Sequence, residues 1–263
     1  MIDLKKAVLA GQPLKGIPVI DAHDHLGRWN AFHVPGGGTI EQMVGRMDRL
    51  GIDRVCVTAH ASIGPDYVYG NDLVWQAIQK YPDRVTGYVT VNPNYPEEMA
   101  GELRRCFARP GFKAIKFHPY CHGAAPDDPG YAAAYEEAER RGCPVLIHVW
   151  GVGDVMAVDR VAPHYPHAAI IMAHTGGDIG AMKMALQVIP KYPNVYGDLA
   201  ISTGLEGNVE WFVREVGSRK IIFGTDMPFF DPSSNLARVA MANISDEEKT
   251  DIFSGNITRL IQF

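Results

Sequence analysis

Short β-branched runs alternate with longer segments of helical period along the whole chain, and this alternation is the strongest constraint on its fold. The runs are nearly continuous in apolar residues, which is typical of strands buried on both faces of a parallel sheet. Eight such runs occur in the 263 residues, at 17–21, 53–59, 84–91, 113–118, 144–148, 168–173, 194–199 and 220–225. The pattern predicts an α/β protein whose parallel strands are joined by helices.

Segments of helical period separate these runs. Two of them begin with a capping box, in which Thr39 is followed by Gln42 and Ser245 by Glu248. Gly51 is expected to end the first of these helices, because glycine readily adopts the left-handed backbone found after a helix. Helices are predicted at 39–51, 70–81, 95–107, 129–142, 178–190 and 206–216, with a last one opening at Ser245.

A single closed barrel is the arrangement that best fits eight strands alternating with helices in a chain of this length. Barrels of this (β/α)8 type, the TIM barrels, take about 250 residues. No stretch rich in Pro, Gly or Ser divides the chain, so residues 1–263 are expected to form one TIM-barrel domain. The alternative is an open, doubly wound sheet, which predicts a glycine-rich phosphate loop after the first strand. The sequence there is DAHDHLGRW, which favours the barrel.

Composition and charge argue against several classes of partner. The net charge is -5 and no Lys/Arg cluster is visible, so neither nucleic acid nor a membrane surface is expected as a partner. No apolar run approaches the roughly 18 residues of a membrane-spanning helix, and AVLAG near the N-terminus is too short for a signal peptide. The four cysteines are scattered, which is typical of reduced thiols. We expect a cytoplasmic protein that binds a small-molecule substrate and forms a homo-oligomer, with a dimer favoured.

Polar residues interrupt the apolar runs at their carboxyl ends, and most of them are histidines or aspartates. They are Asp21, His23 and His25 after the first run, Asn92 after the third, Lys116 and His118 in the fourth, His148 after the fifth, His174 after the sixth, Asp198 in the seventh and Asp226 after the eighth. In a barrel these ends meet on one rim, the rim that carries the active site. Residues two apart in a strand point to the same side, so His23 and His25 are expected to face the barrel mouth together.

Each of these histidines taken alone is better explained by a hydrogen bond than by a metal. Together with Asp226 they converge on one rim, and neutral imidazole plus carboxylate is the ligand set of a divalent metal such as zinc. Unpaired polar groups at the end of an apolar core are costly, and a bound cation would satisfy them. The pattern therefore predicts a metal site at the C-terminal rim of the strands.

Six motifs follow one another along the chain: DAHDH after the first strand, KFHP in the fourth, VLIH ending the fifth, MAHTGG ending the sixth, FGTDMPF ending the eighth and GNITRLI near the C-terminus. This series resembles the amidohydrolase superfamily. The nearest group is its amidohydrolase-related branch (amidohydrolase 2), metal-dependent TIM barrels that include lactonases, other hydrolases and non-oxidative decarboxylases. The resemblance covers essentially the whole chain.

The resemblance implies a catalytic divalent metal, Zn2+ before Mn2+, and no organic cofactor. Its ligands would be His23, His25, His148 and Asp226. His174 matches a histidine that acts as an acid/base or polarises the substrate in members with one metal, and binds the second metal in members with two. Lys116 lies where two-metal members carry a bridging carboxylated lysine, whereas a charge-paired lysine is usual in one-metal members, and the latter interpretation is favoured.

Hydrolysis of a C–O or C–N bond in a lactone, ester or amide is the activity expected first, on a small carboxylated or cyclic substrate. Metal-activated water would attack the substrate, Asp226 would carry the proton, and His174 would polarise the carbonyl. We favour hydrolysis because the chain is short, whereas the decarboxylases of this branch tend to carry longer insertions.

Two alternatives stay open. A non-oxidative decarboxylase of a small aromatic or unsaturated acid would hold a carboxylate with cationic side chains and return a proton to carbon from His174 or Asp226. A barrel that binds metal or ligand without catalysis would lack one of the metal ligands, and none is missing. The side chains expected to contact the substrate are Arg28, Lys116, His118 and Trp150.

Overall fold

Eight parallel strands follow one another around a barrel, as the alternation of the sequence predicts. The computed structural model describes residues 4–30, 33–200 and 204–263. Its strands are β1 (Ile20–Leu26), β2 (Arg54–Ala59), β3 (Val85–Thr90), β4 (Phe112–Phe117), β5 (Val145–Ile147), β6 (Ile170–Met172), β7 (Val195–Asp198) and β8 (Ile221–Ile222). Each strand pairs in parallel with the next in chain order. The predicted α/β barrel and its strands are thereby confirmed.

Helices lie between consecutive strands and at the chain ends. They are α1 (Leu4–Leu9), α2 (Ile40–Leu50), α3 (His60–Ile63), α4 (Tyr67–Lys80), α5 (Pro96–Phe107), α6 (Pro119–His122), α7 (Ala132–Arg141), α8 (Val152–Val161), α9 (Ile179–Val188), α10 (Asn208–Val216), α11 (Pro232–Met241), α12 (Asp246–Thr250) and α13 (Asn256–Leu260). Thr39 caps α2 and Ser245 caps α12, and both make the reciprocal bonds of a capping box. Within the described ranges, no helix has both the length and the apolar character needed to cross a membrane.

The barrel closes through hydrogen bonds between β1 and residues 223–227, which follow β8. The Asp226 amide donates to the His23 carbonyl over 2.8 Å, and the His25 amide donates to the Met227 carbonyl over 2.8 Å. We call this contact between β1 and residues 223–227 the seam. Because it joins the two ends of the sheet, it places Asp226 beside two histidines that are about 200 positions earlier in the chain.

Apolar side chains fill the barrel interior below the rim. The buried interior cluster includes Ile20, Ala22, Cys56, Tyr88, Ala114, Leu146, Ile171 and Ile222. Thr58, Lys116 and His148 each come two positions after a member of this cluster, so they continue the same inward-facing rows toward the rim. A second and larger apolar cluster lies between the strands and the helices. Because these two apolar clusters fill the rest of the interior, the inward-facing polar side chains are confined to the carboxyl ends of the strands.

The first strand is longer than predicted. The sequence suggested a strand at 17–21 followed by a polar loop, whereas β1 runs through Asp21, His23 and His25 to Leu26. All of its residues are buried, and it stays paired with β2 despite a register shift between Asp21 and Asp24. Hydrogen bonding to β2 and to the seam outweighs the low strand propensity of the polar residues.

Among the described helices of ten or more residues, two were not predicted because their local signals are weak. In α8 the sequence VGDVMAVDRV is rich in valine, a poor helix former, and its helix is stabilised by burial of Val155 and Val158. Its capping position is Gly151, which offers no side-chain oxygen. In α11 the cap is Asp231 with Pro232 at the first helical position, a good helix start that the proline-rich composition of the loop obscured.

The capping box of α12 provides a test of the fold. The Ser245 hydroxyl accepts from the Glu248 amide over 3.2 Å, and the Glu248 carboxylate accepts from the Ser245 amide over 2.7 Å. We expect Ser245→Ala to lower the free energy of unfolding by about 1 kcal/mol, because the first turn loses an amide partner. Calorimetry should show a fall in Tm of about 2–4 °C for a chain of this size. Ser245→Asp restores an acceptor and should unfold close to the wild type; an equal fall in both variants contradicts the prediction.

Candidate metal centre

Two histidines of β1 face the barrel mouth, as their spacing predicts. His23 and His25 are 1% and 2% exposed, and their rings meet edge to face with centroids 5.3 Å apart. The seam brings the buried Asp226 to the same place. Asp226 has a left-handed backbone with φ of 62°, an uncommon conformation for a residue with a Cβ atom. Backbone strain of this kind concentrates at functional positions.

Three acceptor atoms converge here, and we call His23, His25 and Asp226 the acceptor cluster. Asp226 Oδ1 lies 3.1 Å from His25 Nε2 and 4.0 Å from His23 Nε2. The shorter contact lacks the geometry of a hydrogen bond, so this carboxylate oxygen has no hydrogen-bond partner among the described residues. A buried oxygen without a partner is costly unless something else binds it.

Hydrogen bonds on the far side of each ring turn the Nε2 atoms toward Asp226. His23 Nδ1 donates to Asp198 Oδ2 over 2.8 Å, because a carboxylate only accepts. His25 Nδ1 lies 2.6 Å from Thr58 Oγ1. His23 Nε2 therefore presents a lone pair. The Thr58 hydroxyl can donate or accept, so its bond orients the His25 ring, and Nε2 presents a lone pair when Nδ1 is the donor. Partners of this kind orient the imidazoles that bind metals in proteins.

Asp198 connects two parts of the site. Its Oδ1 accepts from the His174 amide over 2.7 Å and from the Ala200 amide over 3.1 Å, while Oδ2 holds His23. Burial raises the pKa of Asp198 to about 6. The sequence marks Asp198 only as a polar residue in the seventh strand. Its pairing with His23 spans 175 positions, and no local signal reveals it.

Lys116 lies directly beside the acceptor cluster and is fully buried. Its Nζ donates to His23 Nε2 over 3.0 Å. Burial lowers the pKa of the ammonium to about 8, and the carboxylates of Asp226 and Asp198 partly oppose that effect. Lys116 is therefore a cation at neutral pH whose hydrogen bond goes to an imidazole and not to a carboxylate, so the charge-paired interpretation stays a prediction.

His174 and His148 form a hydrogen-bonded pair at the ends of β6 and β5. The carbonyl of Ala200 accepts from His174 Nδ1, so the proton of this ring is on Nδ1. His174 Nε2 then accepts from His148 Nδ1 over 3.2 Å. His148 is left with an unprotonated Nε2. The backbones of His174 and Thr175 are left-handed, with φ of 60° and 45°, a second strained point at the rim.

His148 lies at the edge of the acceptor cluster. Two groups of donor atoms lie within 4.8 Å of one another among the described residues, namely His23 with His25 and Asp226, and His23 with His174 and Asp198. His148 belongs to neither group. Its ring centroid lies 4.8 Å from that of His174 and 4.1 Å from that of His118. A role for His148 as a fourth metal ligand stays a prediction.

The predicted substrate contacts divide between the mouth and the surface. His118 is buried and stacks on His148. Trp150 is 44% exposed, with its ring centroid 5.6 Å from that of His174. Arg28 is exposed on the loop after β1 and makes no ion pair within the described part of the chain. The structure thus brings His118, Trp150 and Lys116 to the site and leaves Arg28 on the surface.

Aromatic rings line the side of the cluster next to β2. His60, the first residue of α3, stacks on His25 with ring centroids 5.0 Å apart and on Phe229 with centroids 4.4 Å apart. The Trp29 ring lies 5.4 Å from that of His60. Burial lowers the pKa of His60 to about 4. Position after a strand was the sequence signal for these residues, but many rim residues share it, and it does not assign them a role.

Two further carboxylates tie β1 to the seam below the cluster. Asp21 accepts from the amide of Thr225 over 2.9 Å and from its hydroxyl over 2.6 Å. Asp24 accepts from the amide of Met227 over 2.9 Å. Burial raises the pKa of Asp21 to about 7. These side chains bond the backbone on either side of Asp226 and so hold it in place.

Charge and burial keep the imidazoles at the mouth in their neutral form. Burial is the main cause that lowers the pKa values of His23, His25, His118 and His148 well below the usual range. The positive charge of Lys116 lowers them further. Neutral imidazole is the form that binds metals.

The acceptor cluster fits a divalent cation. His25 Nε2 and Asp226 Oδ1 lie 3.1 Å apart without the geometry of a hydrogen bond, and a cation between them would satisfy the buried carboxylate oxygen. Imidazole nitrogen and carboxylate oxygen are donors that zinc and manganese both accept. The chemistry of the donor set therefore agrees with the metal site predicted from the strand ends.

Two curated relatives are decarboxylases. The chain is 24% identical over 234 residues to 2-amino-3-carboxymuconate-6-semialdehyde decarboxylase of Dictyostelium discoideum, a match covering 72% of this chain and 64% of the relative. It is 23% identical over 251 residues to gamma-resorcylate decarboxylase of Rhodococcus jostii, covering 73% and 75%. The chain thus spans slightly less than two thirds of the length of the first relative.

A solved structure has the same fold. The 5-carboxyvanillate decarboxylase of Novosphingobium aromaticivorans superposes with a TM-score of 0.77 at 16% identity, over 96% of this chain and 99% of that chain. That crystal structure holds manganese and 4-hydroxy-3-methoxy-5-nitrobenzoic acid. At this identity the likeness shows the barrel alone.

The expectation of hydrolysis is wrong. Both curated relatives are decarboxylases, the reaction that the sequence left as the alternative. The argument from a short chain failed because loop length does not alter the donor atoms at the barrel mouth. The same barrel and the same donor set serve several reactions, so neither distinguishes water attack from loss of CO2.

The resemblance seen in the strand-end motifs is confirmed. The family model of the amidohydrolases matches residues 20–263, which include β1, the seam and every residue of the acceptor cluster. This match extends over most of the 263 residues. The chain belongs to the amidohydrolase family.

Proposed function

We propose that this protein is a metal-dependent, non-oxidative decarboxylase of a small aromatic or unsaturated carboxylic acid. The observation that carries the proposal is the acceptor cluster beside the buried ammonium of Lys116. A cation bound to the cluster, together with Lys116, makes the mouth positive, which suits a carboxylate substrate. Similarity to two decarboxylases supports the same reaction.

His23, His25 and Asp226 would hold a divalent cation, with His148 as the predicted fourth ligand. A cation bound there supplies positive charge against the negative charge that develops as the C–C bond breaks. Zinc and manganese both suit nitrogen and oxygen donors. Manganese is the metal in the crystal structure of the 5-carboxyvanillate decarboxylase.

Lys116 is the positive charge that the chain itself contributes. It lies in the interior row of β4, where it donates to His23 Nε2; a cation bound at that nitrogen would take this lone pair and leave the ammonium for the substrate carboxylate. Because it is enclosed, its attraction for a carboxylate is screened by water far less than that of a surface lysine. The rings of Phe229 and Trp150 border the same mouth and offer flat apolar surfaces to an unsaturated or aromatic substrate.

The departure of CO2 leaves an electron pair on carbon, and one proton must be delivered to that carbon. His174 and Asp226 are the candidate donors. His174 Nε2 accepts from His148 Nδ1, so His174 would first take up a proton from solvent at Nε2 and would return to the neutral ring on giving it to carbon. Asp226 Oδ1 has no hydrogen-bond partner among the described residues and faces the same space. The reaction consumes a proton and no water.

A panel of aromatic and unsaturated acids tests the reaction. We expect the metal-loaded protein to release CO2 from at least one of gamma-resorcylate, 5-carboxyvanillate and related acids, and a chelator to abolish release until metal is added back. Asp226→Asn should lower kcat by about 10²–10⁴-fold, since it removes both a negatively charged metal ligand and a group that can carry a proton. His164→Asn, an exposed change at the opposite end of the barrel, is the control and should leave kcat unchanged. Hydrolysis of lactones or amides without release of CO2 contradicts the proposal.

Asp198 provides a test of the metal site that does not depend on turnover. Asp198→Asn should weaken metal binding by about 10–100-fold, because His23 loses the carboxylate that orients its ring and strengthens its lone pair. Competition with a chromogenic chelator measures this affinity. Asp127→Asn, which removes only a surface ion pair with Arg160, is the matched control. Equal metal affinity in the wild type and Asp198→Asn would falsify the assignment of His23 as a ligand held by Asp198.

A further inference from the structure

One buried acceptor at the mouth has no part in the proposed metal site. His60 is 1% exposed, and its Nε2 has no hydrogen-bond partner among the described residues. The ring stacks on His25 and packs at a tilt against Phe229, with Trp29 as a further neighbour. His60 lies outside both groups of converging donor atoms, so metal binding does not account for the free nitrogen.

The hydrogen bond on the other side of the ring fixes what this nitrogen offers. His60 Nδ1 lies 2.7 Å from the Gly27 carbonyl, and a carbonyl oxygen only accepts, so the ring proton is on Nδ1. Apolar faces of Phe229 and Trp29 surround the ring and disfavour a second proton. Nε2 is therefore a lone pair on a ring that packs against aromatic neighbours, and the bond from Nδ1 to Gly27 in the loop after β1 fixes the orientation of the ring.

We propose that Nε2 of His60 accepts a hydrogen bond from a hydroxyl or N–H group of the substrate, and so selects planar acids that carry such a donor. The inference rests on the proposed function, since it takes the decarboxylation substrate to lie at this mouth. A site that presents a buried acceptor binds a ligand with the matching donor well and rejects the analogue without it, because the analogue leaves the acceptor unpaired. The rings around His60 suit a flat substrate lying against them.

Two variants test the role of the acceptor atom Nε2 separately from the rest of the His60 ring. His60→Asn keeps a short side chain whose N–H can bond the Gly27 carbonyl but places no acceptor at the position of Nε2. His60→Gln carries its amide oxygen to about that position and gives up the bond to Gly27. His164→Asn makes the same chemical change as the first variant on an exposed histidine far from the mouth and is the control.

The probes are gamma-resorcylate, which has two hydroxyl donors, and benzoate, which has none. Titration calorimetry of each metal-loaded protein gives the ratio of the two Kd values, and CO2 release gives kcat and KM. We expect His60→Asn to reduce the preference for gamma-resorcylate by about tenfold or more, mostly through Kd and KM. His60→Gln should retain part of that preference, and His164→Asn should retain all of it.

An unchanged ratio in His60→Asn overturns the inference and leaves an ordered water as the partner of Nε2. Equal weakening of both probes, or failure of the wild type to bind either probe, overturns it as well. Donor-dependent binding that is lost in His60→Asn supports it even where no CO2 is released. In that case, if no acid in the panel releases CO2, only the proposed decarboxylation is contradicted. The ratio of Kd values tests the role of His60, and CO2 release tests the reaction, so the two proposals are tested by different measurements.

Discussion

The seam between β1 and residues 223–227 is the contact on which the rest of the site depends. Its backbone bonds, from the Asp226 amide to the His23 carbonyl and from the His25 amide to the Met227 carbonyl, join the first and last strands. The same residues that close the barrel carry the acceptor cluster. A change that opens the sheet at this point therefore separates the Asp226 carboxylate from both imidazoles. Closure of the barrel and assembly of the acceptor cluster depend on the same backbone hydrogen bonds.

The groups behind the cluster show how an apolar interior tolerates so many polar atoms. Each imidazole that faces the mouth is bonded on its far side, His23 by Asp198, His25 by Thr58 and His174 by the Ala200 carbonyl. The carboxylate and the carbonyl place the ring protons of His23 and His174 on Nδ1, and the three partners together fix the orientation of the rings. Positive charge from Lys116 offsets the negative potential of these acceptors, and a cation held by the cluster would do so further.

Several features of the fold and of the site could be predicted because they leave local signals. Runs buried on both faces remain visible as apolar segments, and the spacing of His23 and His25 indicates a shared side of the strand. The extension of β1 through its polar residues was missed, because propensity disfavours a strand that only pairing with β2 and the seam sustains. The reaction was missed for a different reason: water attack and decarboxylation use the same donors on the same barrel.

The sequence by itself determined the order of strands and helices, the inward rows of the barrel and the residue types that gather at its mouth, because each of these depends on spacing within one segment. Only the tertiary structure decided which of those residues meet. The pairing of His23 with Asp198, the donation from Lys116 to His23 and the packing of His60 against His25 and Phe229 join residues far apart in the chain. Contacts of that kind follow from the closure of the barrel, which no segment specifies alone.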